Sequence, residues 1–214
     1  MSNAFKYRFI SIEGNIGAGK SSLAKKLAED FNAKLILEEF EDNSFLPKFY
    51  EDQERYAFPL ELSFLAERYY QLRESVFDRD LFFDLIISDY FVAKSLIFAQ
   101  KTLKTDEYRL YSKLFEIIHQ TMPKPDLFVY LHVDVENLIA NIKRRGREYE
   151  QSISKDYLSS IQESYFSYLK QNNLERILVL DTNSIDFVSN ELDYLKIKEL
   201  IFQDYPKGTH RIIL

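Results

Sequence analysis

The sequence predicts a doubly wound α/β fold, a five-stranded parallel sheet flanked by helices on both faces. Three observations carry this: five short runs rich in Ile, Val, Leu and Phe, amphipathic repeats between them, and a glycine-rich turn joining the first run to the first repeat. Strands buried on both faces read as continuous apolar runs, and parallel neighbours need a crossover long enough to hold a helix. With 214 residues, no cysteine and no Pro-, Ser- or Gly-rich linker, a single domain over residues 1–214 is expected.

The first strand is YRFISI (7–12), and GNIGAGKSS (14–22) follows it with three of the chain's five glycines. A helix over 20–31 is read from Leu23, Leu27 and Phe31 at steps of four. KLILEE (34–39) is the second strand, and Leu62, Leu65, Tyr69, Leu72 and Val76 mark a helix over 60–77. DLIISD (84–89) is the third strand, with helical patterns over 91–100 and 106–121. LFVYLHV (127–133) and RILVLD (176–181) complete the five, with helices over 134–145, 154–170 and 186–202. No element is assigned to YPKGTHRIIL (205–214). In such a sheet, ligands collect beyond the carboxyl ends of the strands, where this chain places Glu13, Glu38, Glu39, Asp89, Asp134 and Asp181.

A formal net charge of −6 disfavours a nucleic-acid partner, since phosphate backbones are bound by clustered Lys and Arg. No uncharged run approaches the ~18 residues of a membrane span, and MSNAFKYRF lacks the apolar stretch of a signal peptide. The expectation is a cytoplasmic protein without membrane attachment. His119, His132 and His210 have no metal-ligand spacing and read as structural.

GNIGAGKS matches G-x-x-x-x-G-K-[ST] in the context that gives the pattern meaning, a buried strand before and an amphipathic helix after. Glycines permit positive φ and close approach, so successive backbone N–H groups can face phosphate oxygens, and the helix start adds its positive dipole end. Gly14, Asn15, Ile16, Gly17, Ala18, Gly19, Lys20, Ser21 and Ser22 are thus the candidate ATP-binding loop. Lys20 would reach the outer phosphates and the Ser21 hydroxyl would ligate Mg²⁺. GTPases of this loop class carry D-x-x-G, and none of glycines 14, 17, 19, 146 and 208 has Asp three residues earlier. Small-molecule kinases remain. In NIKRRGRE (141–148), Lys143, Arg144, Arg145 and Arg147 surround a glycine. They suit either a helix C-terminus or a mobile lid that neutralises a transferring phosphoryl group.

Several stretches together resemble the deoxyribonucleoside kinases, most nearly the bacterial purine deoxynucleoside kinases: IEGNIGAGKSSL, LEEFEDNSFLPKFYED, ERYAFPLELSFLAERYYQL, SDYFVAKSLIFA, RRGREYEQSISKDYL and VLDTNSIDF. The resemblance covers nearly the whole chain. It implies a P-loop kinase fold with a short arginine-bearing lid at about 143–152, ATP as donor, Mg²⁺, and a deoxynucleoside acceptor. By the same resemblance, Glu38 deprotonates or orients the 5′-hydroxyl, and Tyr50 and Glu150 hold the 3′-hydroxyl. Glu61 falls where relatives carry a base-reading Gln, Arg68 matches a base-site arginine, and Arg145 and Arg147 match lid arginines. The segment Asp181 to Phe187, including Asp186, resembles the loop touching the donor's base. Family members are commonly dimers, so a homodimer is implied.

The chain departs from the family at Ser88-Asp89-Tyr90, where many relatives have D-R-S or E-R-S, and at Asn141, where a lid arginine is frequent. Asp89 can serve Mg²⁺ or accept the proton, so either Glu38 or Asp89 could be the base. Glu61 and Arg68, seven residues apart on one helix, share a face and could flank a base. Ionised, Glu61 offers only acceptors, which suits the two adjacent donors of guanine and favours deoxyguanosine; Arg68 or protonation could restore adenine or cytosine. The alternatives are a nucleoside monophosphate kinase such as thymidylate kinase, or a nucleotide-binding module without turnover.

Overall fold

The computed structural model of the protein describes residues 6–39, 43–77, 83–171 and 175–214. Its centre is a parallel sheet of β1 (Phe9–Gly14), β2 (Lys34–Ile36), β3 (Ile86–Ser88), β4 (Leu127–His132), β5 (Arg176–Asp181) and β6 (Gly208–Ile213). The order is β2-β3-β1-β4-β5-β6, every pairing parallel. The sheet therefore has six strands and not the five expected. β6, drawn from the unassigned YPKGTHRIIL, pairs with β5 from Arg176↔Gly208 to Asp181↔Ile213. Its residues alternate half-buried and exposed because it lies at the sheet edge, so no continuous apolar run announces it.

The helices are α1 (Lys20–Phe31), α2 (Leu46–Glu51), α3 (Gln53–Phe77), α4 (Ala93–Thr102), α5 (Thr105–His119), α6 (Val135–Arg145), α7 (Lys155–Gln171) and α8 (Glu191–Ile201). Strand alternation divides the core. Ile10 and Ile12 face one layer with Leu23, Leu138 and Ile197 from α1, α6 and α8. Phe9, Phe128 and Tyr130 face the other, with Leu65, Ile97, Tyr111 and Tyr165 from α3, α4, α5 and α7. Each fully buried Leu or Ile contributes about 1.5–3 kcal/mol over its exposed state. No helix among the described residues is long and apolar enough to cross a membrane.

Three boundaries differ from expectation for physical reasons. β2 ends at Ile36, two residues before Glu38, because the Glu38 N–H turns to the Asp89 carboxylate at 2.8 Å instead of extending the ladder. α3 starts at Gln53 and runs through Pro59, its first turns held where Ala57 and Leu60 pack on Leu46 and Phe49 of α2. α8 starts at Glu191, not 186, because the Asn190 side chain accepts Leu192 N at 2.9 Å and Asp193 N at 3.4 Å as an N-cap.

Candidate active site

The glycine loop leaves β1 and enters α1 with Gly17 at φ +85° and Gly19 at φ +86°. Both positions need glycine twice over. A Cβ at Gly17 would lie 2.9 Å from the Leu138 carbonyl, and one at Gly19 would lie 2.7 Å from the Phe187 ring. Asn15 is the loop's anchor: Nδ2 donates to Leu158 O at 2.8 Å, and Oδ1 accepts Ile16 N at 2.8 Å. Lys20 Nζ folds back onto Asn15 O at 2.9 Å. Burial, then the nearby Lys94 ammonium, lower the Lys20 pKa to about 8 despite Glu13, Glu38 and Asp89.

Just past Lys20, the Ser21 hydroxyl donates to Asp89 Oδ2, joining the start of α1 to the end of β3. Both are hard oxygen donors of the kind Mg²⁺ takes. Glu38 has Oε1 held by Arg68 Nε at 2.8 Å and Nη2 at 2.6 Å, while Oε2 meets Lys94 Nζ. Burial would raise the Glu38 carboxyl, but Lys94 and Arg68 outweigh it and hold the pKa at about 2. Arg68 also donates to Ser95 Oγ at 2.7 Å and lies 4.8 Å over the Phe64 ring. Arg68 thus spends its fork on Glu38 and Ser95, although with Glu61 it lines the same cavity.

Glu61 is 3% exposed and accepts Thr102 Oγ1 at 2.8 Å. Burial pushes its carboxyl up to about 7, against the opposing pull of Thr102 and Arg68. Tyr50 and Glu150 meet across this cavity. Burial and the Glu150 carboxylate raise the Tyr50 phenol above its ordinary pKa. The Tyr50 ring stacks on Tyr149 at 6.0 Å. Arg145 Nε donates to Glu150 Oε2 at 3.0 Å, and Arg147 Nη1 reaches Oε1 at 3.4 Å. Arg145 and Arg147, expected on a lid, therefore converge on the carboxylate expected at the sugar.

A second groove opens on the other side of the loop, lined by Gly17, Gly19, Ser22, Asn141, Asn183 and Asp186 among others. Asn141, one of the departures from the family pattern, ties α6 to the loop through Gly17 O at 2.9 Å. Asp186 Oδ1 accepts Val188 N at 3.2 Å and Ser189 N at 3.1 Å, shaping the turn that carries Phe187. Phe187 is 5% exposed and packs on Gly19, so its ring walls the groove. Asp181 turns away from the groove, to Asn183 Nδ2 at 2.8 Å and Arg211 Nη2 at 3.4 Å on β6. Lys20, Ser21, Arg145 and Arg147 line both spaces and form the wall between them.

Among the site residues that escaped the sequence reading, Thr102, Ser95 and Tyr149 gave no signal, whereas Lys94 gave one: it is the lone charge in VAKSLIFA at the start of α4.

The family model for deoxynucleoside kinases matches residues 10–205. The chain belongs to the deoxynucleoside kinase family. Deoxyguanosine kinase of Bacillus subtilis (strain 168) is 36% identical over 204 residues, 90% of this chain and 97% of that protein. Deoxyadenosine/deoxycytidine kinase of the same organism is 33% identical over 191 residues, 87% of this chain and 88% of that one. The solved structure of deoxyadenosine kinase from M. mycoides with bound dATP superposes with a TM-score of 0.77 at 24% identity, covering 90% of this chain and 98% of that one, which establishes the fold. As a deoxynucleoside kinase, the protein is a phosphotransferase that uses ATP to phosphorylate deoxynucleosides, and the monophosphate-kinase alternative falls away.

Proposed function

We propose that this deoxynucleoside kinase acts on the 5′-hydroxyl of a purine deoxynucleoside, deoxyguanosine before deoxyadenosine, with Mg²⁺-ATP as donor. The observation that carries the reading is the wall of Lys20, Ser21, Arg145 and Arg147 shared by two cavities, one rimmed by the glycine loop and the other by carboxylates and aromatic rings. The donor's phosphates lie on the loop amides from Gly14 to Ser22, with its base toward Asp186 and Phe187. Ser21 and Asp89 are the residues that would hold Mg²⁺, which when bound neutralises phosphate charge.

In the acceptor cavity, Oε1 of Glu38 is filled by two N–H groups, while among the described residues Oε2 accepts only Lys94. The free lone pair on Oε2 takes the 5′-hydroxyl. As the 5′-oxygen bonds to the γ-phosphorus, the bond from that phosphorus to the β–γ bridging oxygen breaks and ADP departs. A carboxylate with a pKa of about 2 is a weak base. Glu38 therefore aligns the hydroxyl, and the proton leaves late, to Asp89 or a phosphate oxygen, as suits a loose transition state. Tyr50 and Glu150 take the 3′-hydroxyl, and Arg145 and Arg147 follow the charge of the moving phosphoryl group. Glu61 reads the base beside the Arg68 fork. Residues 1–214 work as one domain, as a homodimer in the cytoplasm.

The test incubates purified protein with Mg²⁺-ATP and each of the four deoxynucleosides or dGMP, and follows product by chromatography. Deoxyguanosine should turn over fastest. Deoxycytidine turning over as fast as either purine, or dGMP being preferred to deoxyguanosine, would remove the reading.

A further inference from the structure

Lys94 is 7% exposed, within a site whose phosphate-facing lysine is Lys20. Its position is costly. Lys94 is the second residue of α4, next to the positive end of the helix dipole, where a cation is unfavourable. Burying an ammonium is also unfavourable unless it is closely paired. Its partner, Glu38, already receives two charged N–H groups from Arg68. Arg68 and Lys94 together carry two positive charges against the one negative charge of Glu38, so the trio has a surplus of one. The Lys94 ammonium is close enough to Lys20 to lower its pKa, and it offsets part of the cost of burying Glu13. Glu13 itself is committed elsewhere, accepting Phe91 N at 2.7 Å and Tyr165 Oη at 2.9 Å. The turn Ser88-Asp89-Tyr90-Phe91 leading into α4 supplies no cation of its own.

We propose that Lys94 is a positioning residue for phosphoryl transfer: with Arg68 it clamps the Glu38 carboxylate from both sides of the acceptor cavity. Arg68 fixes Oε1, and Lys94 fixes the oxygen left to receive the acceptor hydroxyl. Without Lys94, Glu38 keeps Arg68 but is free to swing about that single anchor, and misalignment at the reacting centre lowers kcat more than it weakens binding. The inference rests on the reading of Glu38 as the acceptor-hydroxyl site.

The experiment compares kcat and both KM values for wild type, Lys94→Met, Lys94→Arg, Glu38→Gln and the double variant Lys94→Met/Glu38→Gln. Thermal melting with and without ATP serves as the folding control. Lys94→Met should lower kcat about 100-fold, with KM for ATP within about threefold. Lys94→Arg should recover at least about tenfold of that loss, because it restores the charge. The double variant should be no more than about threefold slower than the slower single variant, since both lesions act on one carboxylate. If Lys94→Met fails to fold, Lys94→Gln carries the same comparison. The proposal is overturned if the neutral variant keeps kcat within threefold of wild type, if the two losses multiply, or if arginine restores melting temperature but not turnover. Glu38→Gln with undiminished kcat would instead overturn the acceptor reading and the inference with it. A damaging Glu38→Gln beside a harmless Lys94→Met removes the inference alone.

Discussion

Arg145 and Glu150 lie five residues apart and are joined at a single oxygen: Arg145 Nε reaches Glu150 Oε2 at 3.0 Å, and Nη2 contacts the same atom. On the proposed function, the arginine segment after α6 is thereby fastened to the sugar end of the acceptor cavity. On that reading an incoming 3′-hydroxyl must share or displace the contact, which would link acceptor binding and the arginine's availability to the donor through one carboxylate. Charge-assisted hydrogen bonds are worth about 1.5–3 kcal/mol. Glu150→Gln is expected to raise KM for the deoxynucleoside by about 10- to 100-fold while moving KM for ATP much less. Equal shifts in both would show that the pair is merely structural.

Base preference should depend on pH. Glu61 has its pKa raised to about 7 by burial. The groups around it are Thr102, Arg68, Lys94, Glu38 and the phenols of Tyr50, Tyr111 and Tyr157. Below 7 the carboxyl is neutral and can donate to a ring nitrogen of adenine; above 7 it is an acceptor only and matches guanine. The ratio of kcat/KM for deoxyguanosine to that for deoxyadenosine should therefore climb between pH 6 and pH 8. Glu61→Gln should flatten the curve. Thr102→Val, which removes the hydroxyl favouring the charged form, should move the rise to higher pH. A ratio independent of pH in wild type would dismiss Glu61 as the reader.

Donor affinity should fall on the alkaline side. With its pKa lowered to about 8, Lys20 is cationic below that pH and neutral above it in the free enzyme. ATP binding, followed by calorimetry, should weaken progressively above pH 8, because bound phosphates must first recover a proton for the lysine. Lys20→Met should abolish the slope and reduce kcat by at least about 100-fold. A slope that survives in Lys20→Met would locate the titrating group elsewhere.

Asn15 should matter for stability before chemistry. It is 2% exposed and satisfies both the Leu158 carbonyl and the Ile16 amide. Asn15→Ala leaves these buried groups unpaired and is expected to cost about 2–3 kcal/mol in urea unfolding. Asn15→Asp keeps the acceptor but sets a buried carboxylate oxygen against the Leu158 carbonyl, and should cost at least as much as Asn15→Ala. A loss below about 0.5 kcal/mol would mean that water replaces both bonds.

Much of this was readable from residue order, and what was not has identifiable causes. Gly17 and Gly19 announced their turn because nothing else fits a left-handed backbone pressed against Leu138 and Phe187. The four interior strands, β3, β1, β4 and β5, announced themselves because burial on both faces leaves them mostly apolar, and the edge strand β2 was legible through the apolar run KLIL. β6 escaped because an edge strand is wetted on one side, so THRII looks like any polar stretch. Glu61 and Arg68 both lie on α3 and line one cavity, but their partners come from other elements. Arg68 reaches Glu38 after β2, and Glu61 meets Thr102 at the end of α4. Neither pairing leaves a trace in local spacing. Lys94 carries the same lesson, since only the packing of α4 against α3 turns a solitary lysine into half of a clamp.

The last strand also decides how this kinase would fail if shortened. β6 caps the backbone of β5 along its whole length, and Leu214 N closes the ladder on Asp181 O at 3.1 Å. Deleting residues 208–214 would bare an apolar ribbon from Ile177 to Leu180 with its amides and carbonyls unmet. Such a ribbon invites another chain to dock along it, so the shortened enzyme should clump out of solution long before its chemistry is measurably impaired.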